Sequence, residues 1–512
     1  MIEVKKAITL VILLCSFFTG CTEKNKIQQP PNVVLFFVDD MGWQDTSVPF
    51  WDRLTQFNKT YKTPNMERLA QKGIKFTNAY ATPVCSPTRV SLMTGMNAAR
   101  HRVTNWTLKP DQMQPMELNH AVLEFPEWNY NGIGLDSLTP HAAYAEPLPK
   151  LLAENGYYTI HAGKAHFGAI GYPSSNPINL GFDVNIAGHA AGAPASYLGS
   201  DNFGNGIAGK EVWAVPGLEK YHGQDIFLTE ALTTEVLTAL ETPVNKKQPF
   251  FLYFALYGIH TPLMENNRFV NSYREMGLEE PEARYASMIE SMDEALGKVM
   301  DYLEAKQLEE NTIILFMSDN GGLSASSRGG EKHTHNSPLK SGKGSIYEGG
   351  IRVPMLTYWP GITTPNSTEH SPVIIEDFFP SVLEMTQTNL KNTVQTVDGK
   401  SFVPLLKGEP KERGALFWHY PNAWGSTGPG IGSYSAVRDG DWKLIYFHQD
   451  QKLELYHLPT DIGEQKNLVE VNPEKAHALA EKLTIHLLQV AAQMPVNKIT
   501  QKPVPLPLSI LQ

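Results

Sequence analysis

Cysteine is nearly absent from this chain, with three in 512 residues. Two of them, Cys15 and Cys21, fall within the first 21 positions. Cys85 is therefore the only thiol of the body, and a disulfide-stapled fold is excluded. A basic excess is absent too: 43 Lys and Arg face 53 Asp and Glu, for a net charge of -10. That balance excludes a nucleic-acid binder, although a local cluster of cations on an acidic body can still hold an anionic substrate. Long hydrophobic runs are also missing. The most apolar N-terminal stretch, 7–18, follows Lys5 and Lys6 and is shorter than the roughly 20 residues a membrane helix needs.

What remains at the N-terminus reads as an export signal, positively charged and then apolar. The segment ends Phe18-Thr19-Gly20-Cys21, which resembles a bacterial lipobox with Cys21 as the lipidated residue. Phe18 departs from the usual aliphatic residue, so plain secretion is the alternative. Residues 1–21 are read as this leader and 22–31 as a polar tether. The expected location is exported: the periplasm, or the outer membrane of a bacterium through a lipid anchor, the only membrane contact foreseen.

The body of the chain alternates two textures. Asn32-Val33-Val34-Leu35-Phe36-Phe37-Val38, Phe250-Phe251-Leu252-Tyr253-Phe254-Ala255 and Thr312-Ile313-Ile314-Leu315-Phe316-Met317 are continuous apolar runs, as in strands buried on both faces. Helical patterns lie between them at 65–71, 147–155, 229–240 and 285–306. Strands alternating with helices predict an α/β domain with a large, mixed, mostly parallel sheet sandwiched by helices, over 32–396. From 397 to 512 the runs shorten. Arg438-Asp439-Gly440-Asp441 is a hairpin signal, and the pattern predicts a smaller α+β part, an antiparallel sheet with a helix over 473–493. The Gly-, Asn- and Ser-rich stretches 168–208 and 321–337 predict long functional loops.

Chemistry gathers where apolar runs end, which in open α/β sheets is where sites are built. Asp39-Asp40 closes the first run and Asp319-Asn320 the third. Four oxygen-bearing side chains at two strand ends suit a hard divalent cation, calcium or magnesium. Lys164 and His166 follow another strand pattern, two residues apart and so on one side of it. His260 stands in His260-Thr261-Pro262, and Lys343 in Gly342-Lys343-Gly344. Cys85 opens Cys85-Ser86-Pro87-Thr88-Arg89, read as a loop thiol before a turn at Pro87.

Taken in order, these motifs resemble one family over 32 to about 468. Asp39-Asp40-Met41-Gly42-Trp43, Cys85-Ser86-Pro87-Thr88-Arg89, Gly163-Lys164-Ala165-His166, Ile259-His260-Thr261-Pro262, Ser318-Asp319-Asn320-Gly321-Gly322 and Gly342-Lys343-Gly344 are similar to the signatures of a type I sulfatase. That family is the arylsulfatase group of the alkaline phosphatase superfamily. The resemblance implies its fold, and a hydrolase of sulfate monoesters on carbohydrate: a polysaccharide such as ulvan or carrageenan, or a glycosaminoglycan. It implies that Cys85 is converted by a formylglycine-generating maturation enzyme to formylglycine (3-oxoalanine), the source of the nucleophile. Asp39, Asp40, Asp319 and Asn320, with residue 85, are implied ligands of one calcium ion, the neutral Asn320 arguing against a zinc pair. Arg89 would hold the nucleophile, Lys164 and Lys343 the sulfate charge, His260 would serve as acid and His166 as base. Ala165 replaces a common Trp, and Lys340 a frequent Arg.

For the sugar, expectation falls on Arg102, His333 and His335 as hydroxyl or carboxylate contacts. Trp106, Trp128, Tyr130, Trp418 and Tyr420 are the candidate stacking aromatics. Two other functions remain open on the residues alone: a phosphodiesterase or phosphonate hydrolase of the same superfamily, and a non-catalytic lipoprotein that binds sulfated glycan.

Overall fold

The first apolar run forms β1, Asn32–Val38, and every residue of it is buried. Its alternation divides the interior in two. Val33, Leu35 and Phe37 face one core, and Val34, Phe36 and Val38 face the other, as period-two side chains must. A computed structural model supplies this architecture and describes residues 30–114, 120–389 and 393–511. The leader, Cys15, Cys21 and nearly all of the tether lie outside the described residues. Pro31–Gln512 cohere as one unit.

Beside β1, the sheet contains β2 (Ile74–Tyr80), β3 (Tyr158–Gly163), β4 (Val184–Ile186), β5 (Phe250–Ala255), β6 (Thr312–Ser318), β7 (Arg352–Tyr358), β8 (Ser367–Glu369) and β9 (Val373–Ile374). The order is β8-β2-β7-β6-β1-β5-β3-β4, with β9 also on β2. Strand β7 pairs antiparallel with both neighbours, and the other pairings are parallel. The sheet is therefore mixed and mostly parallel. Register aligns the site: Val38 sits opposite Ser318, and Gly163 opposite Ala255. Asp39, Asp319, Lys164 and the 256–260 turn thus leave the sheet at one edge.

Helices α1 (Pro64–Lys72), α4 (Leu228–Lys246) and α5 (Glu280–Ala305) cover the second core. Helix α2, Cys85–Thr94, fills the first, and α3, Leu148–Glu154, lies beside it. The C-terminal sheet consists of β10 (Leu416–Tyr420), β11 (Tyr434–Asp439), β12 (Trp442–Phe447) and β13 (Lys452–His457), all antiparallel. Asp439 pairs with Trp442 across the Gly440-Asp441 turn, so the hairpin signal is a two-residue hairpin. Trp418, Ala436 and Ile445 join the core that α2 fills. Val437, Leu444 and Leu455 face α6, Pro473–Gln489, through Ala476, Leu479 and Leu483.

Candidate active site

Helix α2 begins at Cys85, so this thiol starts a helix and is not a loop residue. The reason is local. Pro87 sits in the first turn, where no intrahelical N–H is required. The signal read as a turn is a helix start. Arg89 lies four residues on, and so on the face of α2 that carries Cys85. Gly95, at φ 70°, ends the helix.

Arg89 is wholly buried and locks the strand ends together. Its Nε and Nη2 donate to Asp319 Oδ2 at 3.0 and 2.8 Å, and Nη1 donates to the Lys164 carbonyl at 2.9 Å. Lys164 Nζ lies 2.6 Å from Asp39 Oδ2, and Lys343 Nζ 2.6 Å from Asp40 Oδ1. Three buried carboxylates are thereby matched by three cations. Burial, reinforced by the Asp319 charge, pushes the Asp39 carboxyl well up. Against its own burial, Asp40 is held below the ordinary range by Lys343. Asp40, at φ 62°, and His166, at φ 55°, occupy the left-handed region, a conformation that recurs at functional sites.

The same cluster has the donor set of a hard cation. Oxygens of Asp39, Asp40 and Asp319 lie within 4.8 Å of one another. Asp39 Oδ1, Asp40 Oδ2 and Asn320 Oδ1 are buried without a hydrogen-bond partner, a costly state that a divalent ion would relieve. Asn320 Nδ2 donates to Asp40 Oδ1 at 2.8 Å and to the Gly321 carbonyl at 3.0 Å, which turns its orphaned oxygen away from those partners.

Above the cluster, a pocket of about 570 Å³ is lined by Cys85, His166, His260 and Lys343 together with Trp106, Trp213 and Trp424. His166 Nδ1 lies 3.3 Å from Cys85 Sγ. Its Nε2–H donates to the Thr107 carbonyl at 2.8 Å, so Nδ1 is the acceptor. Burial, reinforced by Lys164 and Arg89, pushes its proton affinity well below the ordinary value. His260 Nδ1–H donates to the Thr261 carbonyl at 2.8 Å, and Nε2 stands 3.7 Å from Asp40 Oδ2. Burial and Lys343 hold its pKa at about 3. Burial pushes the Cys85 thiol up, which makes it a poor nucleophile at neutral pH.

Several expected contacts lie elsewhere. Arg102 caps a short helix and donates from Nη2 to the Ala491 carbonyl at 2.9 Å. His335 is buried, with Nδ1 at 3.2 Å from Ser324 Oγ and Nε2 at 2.6 Å from the Gly329 carbonyl. His333 packs on Gly428, where an added Cβ would come within 2.1 Å of its ring. None of the three lines the pocket: His335 is held within its own loop, Arg102 reaches the distant Ala491 carbonyl, and His333 packs on Gly428. Lys164 is enclosed beneath the pocket. Of the candidate aromatics, Trp106 is on the wall, whereas Trp128, Tyr130, Trp418 and Tyr420 are buried in the core. Trp213, Trp424 and Lys210 on the rim, and Thr107 behind His166, carry no pattern in the sequence that would single them out.

The family model that matches residues 31–388 is Sulfatase. The chain belongs to the sulfatase family. It is a sulfuric ester hydrolase by that membership, and residues 342–493 match the C-terminal part described as N-sulphoglucosamine sulphohydrolase. A Formosa agariphila sulfatase is 28% identical over 92% of this chain and 91% of its own length. Human N-acetylgalactosamine-6-sulfatase is also 28% identical, over 88% and 84%. The crystal structure of Ps i-CgsB in complex with k-i-k-neocarrahexaose superposes with a TM-score of 0.69, at 27% identity over 89% of this chain and 92% of that one.

Proposed function

We propose that this sulfatase removes sulfate from a sulfated carbohydrate, a polysaccharide or its oligosaccharides, using a formylglycine at position 85 and one calcium ion. The observation that carries the reading is the pocket itself. Polar Lys343, His260 and His166 line it together with three tryptophan side chains, and aromatic faces suit the apolar faces of sugar rings. Two similar proteins, the human N-acetylgalactosamine-6-sulfatase and Ps i-CgsB with its bound k-i-k-neocarrahexaose, support the substrate class.

Asp39, Asp40, Asp319 and Asn320 would hold the calcium ion, which when bound supplies positive charge against the sulfate oxygens. Conversion of Cys85 supplies, as the hydrated aldehyde, a hydroxyl nucleophile in place of a buried thiol. The chain's own residues do the rest. Arg89 fixes Asp319 and the backbone at Lys164, so the floor is pre-organised before substrate arrives. Lys343 lies at the pocket floor and neutralises the sulfate. His166 is held by Thr107 with Nδ1 open toward residue 85, and takes a proton there. His260 is held by Thr261 with Nε2 open toward the pocket. A bound anion opposes the repulsion from Lys343 and raises the proton affinity of Nε2, which then protonates the departing sugar oxygen. The N-terminal sequence and this substrate class together fit an exported enzyme. No helix among the described residues is long and apolar enough to cross a membrane.

Converted enzyme assayed on a panel of defined sulfated oligosaccharides and matched phosphate esters tests the reading. Sulfate release from at least one oligosaccharide, with little phosphate release, is expected. Preference for phosphate or phosphonate esters, or binding without turnover, would overturn it.

A further inference from the structure

A second cleft, of about 690 Å³, lies at the seam between the large sheet and the C-terminal sheet. It shares no lining residue with the catalytic pocket. Its cations are Arg53, Lys75, Arg352 and Arg438, and its acids are Asp52 and Asp441.

The protein neutralises these cations only in part: Arg53 has the exposed Asp52 at 3.9 Å, and the Arg352 guanidinium stacks on Trp43 at 4.1 Å and donates from Nε to the Thr77 carbonyl at 2.8 Å. Lys75 is half-buried and its Nζ donates to the Pro49 carbonyl at 2.5 Å. Among the described residues, no carboxylate lies within ion-pair distance of it or of Arg438. Arg352 is only 7% exposed, and its carboxylate contact, Glu348, is at 3.5 Å. That carboxylate is already committed at 2.9 Å to Lys443 and at 2.7 Å to Tyr80. Burial accordingly lowers the proton affinity of Arg352, against the usual behaviour of a fully paired guanidinium. Arg438 donates through Nε to the Gly440 carbonyl at 3.1 Å and through Nη1 to Tyr80 and Asn78. Among the described residues, the Nη2 groups of Arg352 and Arg438 have no hydrogen-bond partner. Trp51 offers a partly exposed aromatic face in the same cleft, with Arg53 over it at 5.3 Å.

Under-neutralised guanidinium groups beside a solvent cleft form a site for a tetrahedral or planar oxyanion, and an adjoining indole suits a sugar ring. We propose that this cleft is a second binding site for sulfated glycan, separate from the catalytic centre, which keeps the polymer on the enzyme between turnovers. The proposal rests on the sulfated-carbohydrate reading for its choice of anion.

The test is native electrophoresis of the full chain carrying Cys85→Ala, which leaves the polymer intact, through gels containing carrageenan, chondroitin sulfate, hyaluronan or agarose. The expected result is retardation in at least one sulfated gel, weaker in hyaluronan and absent in agarose. Adding Arg53→Ala and Lys75→Ala should weaken the apparent affinity by about fivefold or more, the loss of two partly exposed ionic contacts. Both positions are at the cleft rim, and an unchanged melting temperature checks the fold. Undiminished retardation of the triple variant, or no retardation of Cys85→Ala in either sulfated gel, overturns the proposal. Protection of Lys75 from acylation by sodium sulfate but by no sulfated polymer would also overturn it, leaving a site for the free ion. Failure of the catalytic reading would show separately, as converted enzyme that hydrolyses no sulfate ester while retardation persists.

Discussion

Replacing Arg89 with alanine should do more damage than any other single change beneath the pocket. The side chain has no exposure and gives Asp319 Oδ2 two hydrogen bonds, at 3.0 and 2.8 Å. Its removal leaves Asp319 buried beside Asp39 and Asp40 with one compensating cation fewer. It also strips the Lys164 carbonyl of a donor at 2.9 Å. Breaking a buried pair by deleting one partner costs about 3–5 kcal/mol, and the vacated volume adds to that. Arg89→Lys keeps the charge and loses the fork, so a loss of about 1.5–3 kcal/mol is expected, the value of one charged hydrogen bond. Equilibrium urea unfolding at pH 7.5 reads both, as a lower midpoint at unchanged slope. Sulfatase activity should vanish in Arg89→Ala. A loss below about 1 kcal/mol for Arg89→Ala, the range of an exposed pair, would refute the keystone role.

Other outcomes follow from the same geometry. Cys85→Ala should abolish hydrolysis at a stability cost of about 1 kcal/mol, measured by thermal melting; residual turnover near wild type would contradict the assignment. Exhaustive chelation should remove activity and calcium should restore it. Calcium at about 100 times its Kd should add about 2.7 kcal/mol of stability, and indifference to chelation would exclude the ion. Trp424→Ala should lower kcat/KM on a sulfated oligosaccharide, by the about 0.5–1.5 kcal/mol of an aromatic contact, more than on a small aryl sulfate. Arg102→Ala should change neither, and a selective loss there would return Arg102 to the sugar site. Because burial raises the Cys85 thiol, its thiolate forms only at higher pH than an ordinary one. Unconverted, folded chain should therefore resist iodoacetamide at pH 8 and react once unfolded.

The strands that build the floor were legible because they are continuous apolar runs, buried on both faces. Asn32–Val38 and Phe250–Ala255 match the expected spans residue for residue. Strand β7 was not, since Arg352 opens it and Pro354 interrupts it at an irregularity of register, where the missing N–H is tolerated. Acids directly after apolar runs pointed to the strand ends, and the register places them side by side. The pocket wall was hidden for a different reason. Trp213 ends a single 3-10 turn, Glu211–Trp213, and Trp424 lies in an irregular loop; neither has a period to read, and they meet only in the folded chain. Gly344 is one device that allows it: an added Cβ there would meet the Trp424 ring at 2.2 Å. Arg102, His333 and His335 stand off the pocket because polar residues near a catalytic element can equally bond or pack elsewhere in the fold, here with Ala491, Gly428 and Gly329.

Residue 85 decides the account. Preparations made with graded amounts of a formylglycine-generating enzyme can be scored by mass spectrometry of the peptide that contains it, alongside turnover of an aryl sulfate. Turnover should rise in proportion to the fraction carrying the aldehyde and extrapolate to zero at none. Full turnover by protein whose Cys85 is entirely an unmodified thiol would contradict it.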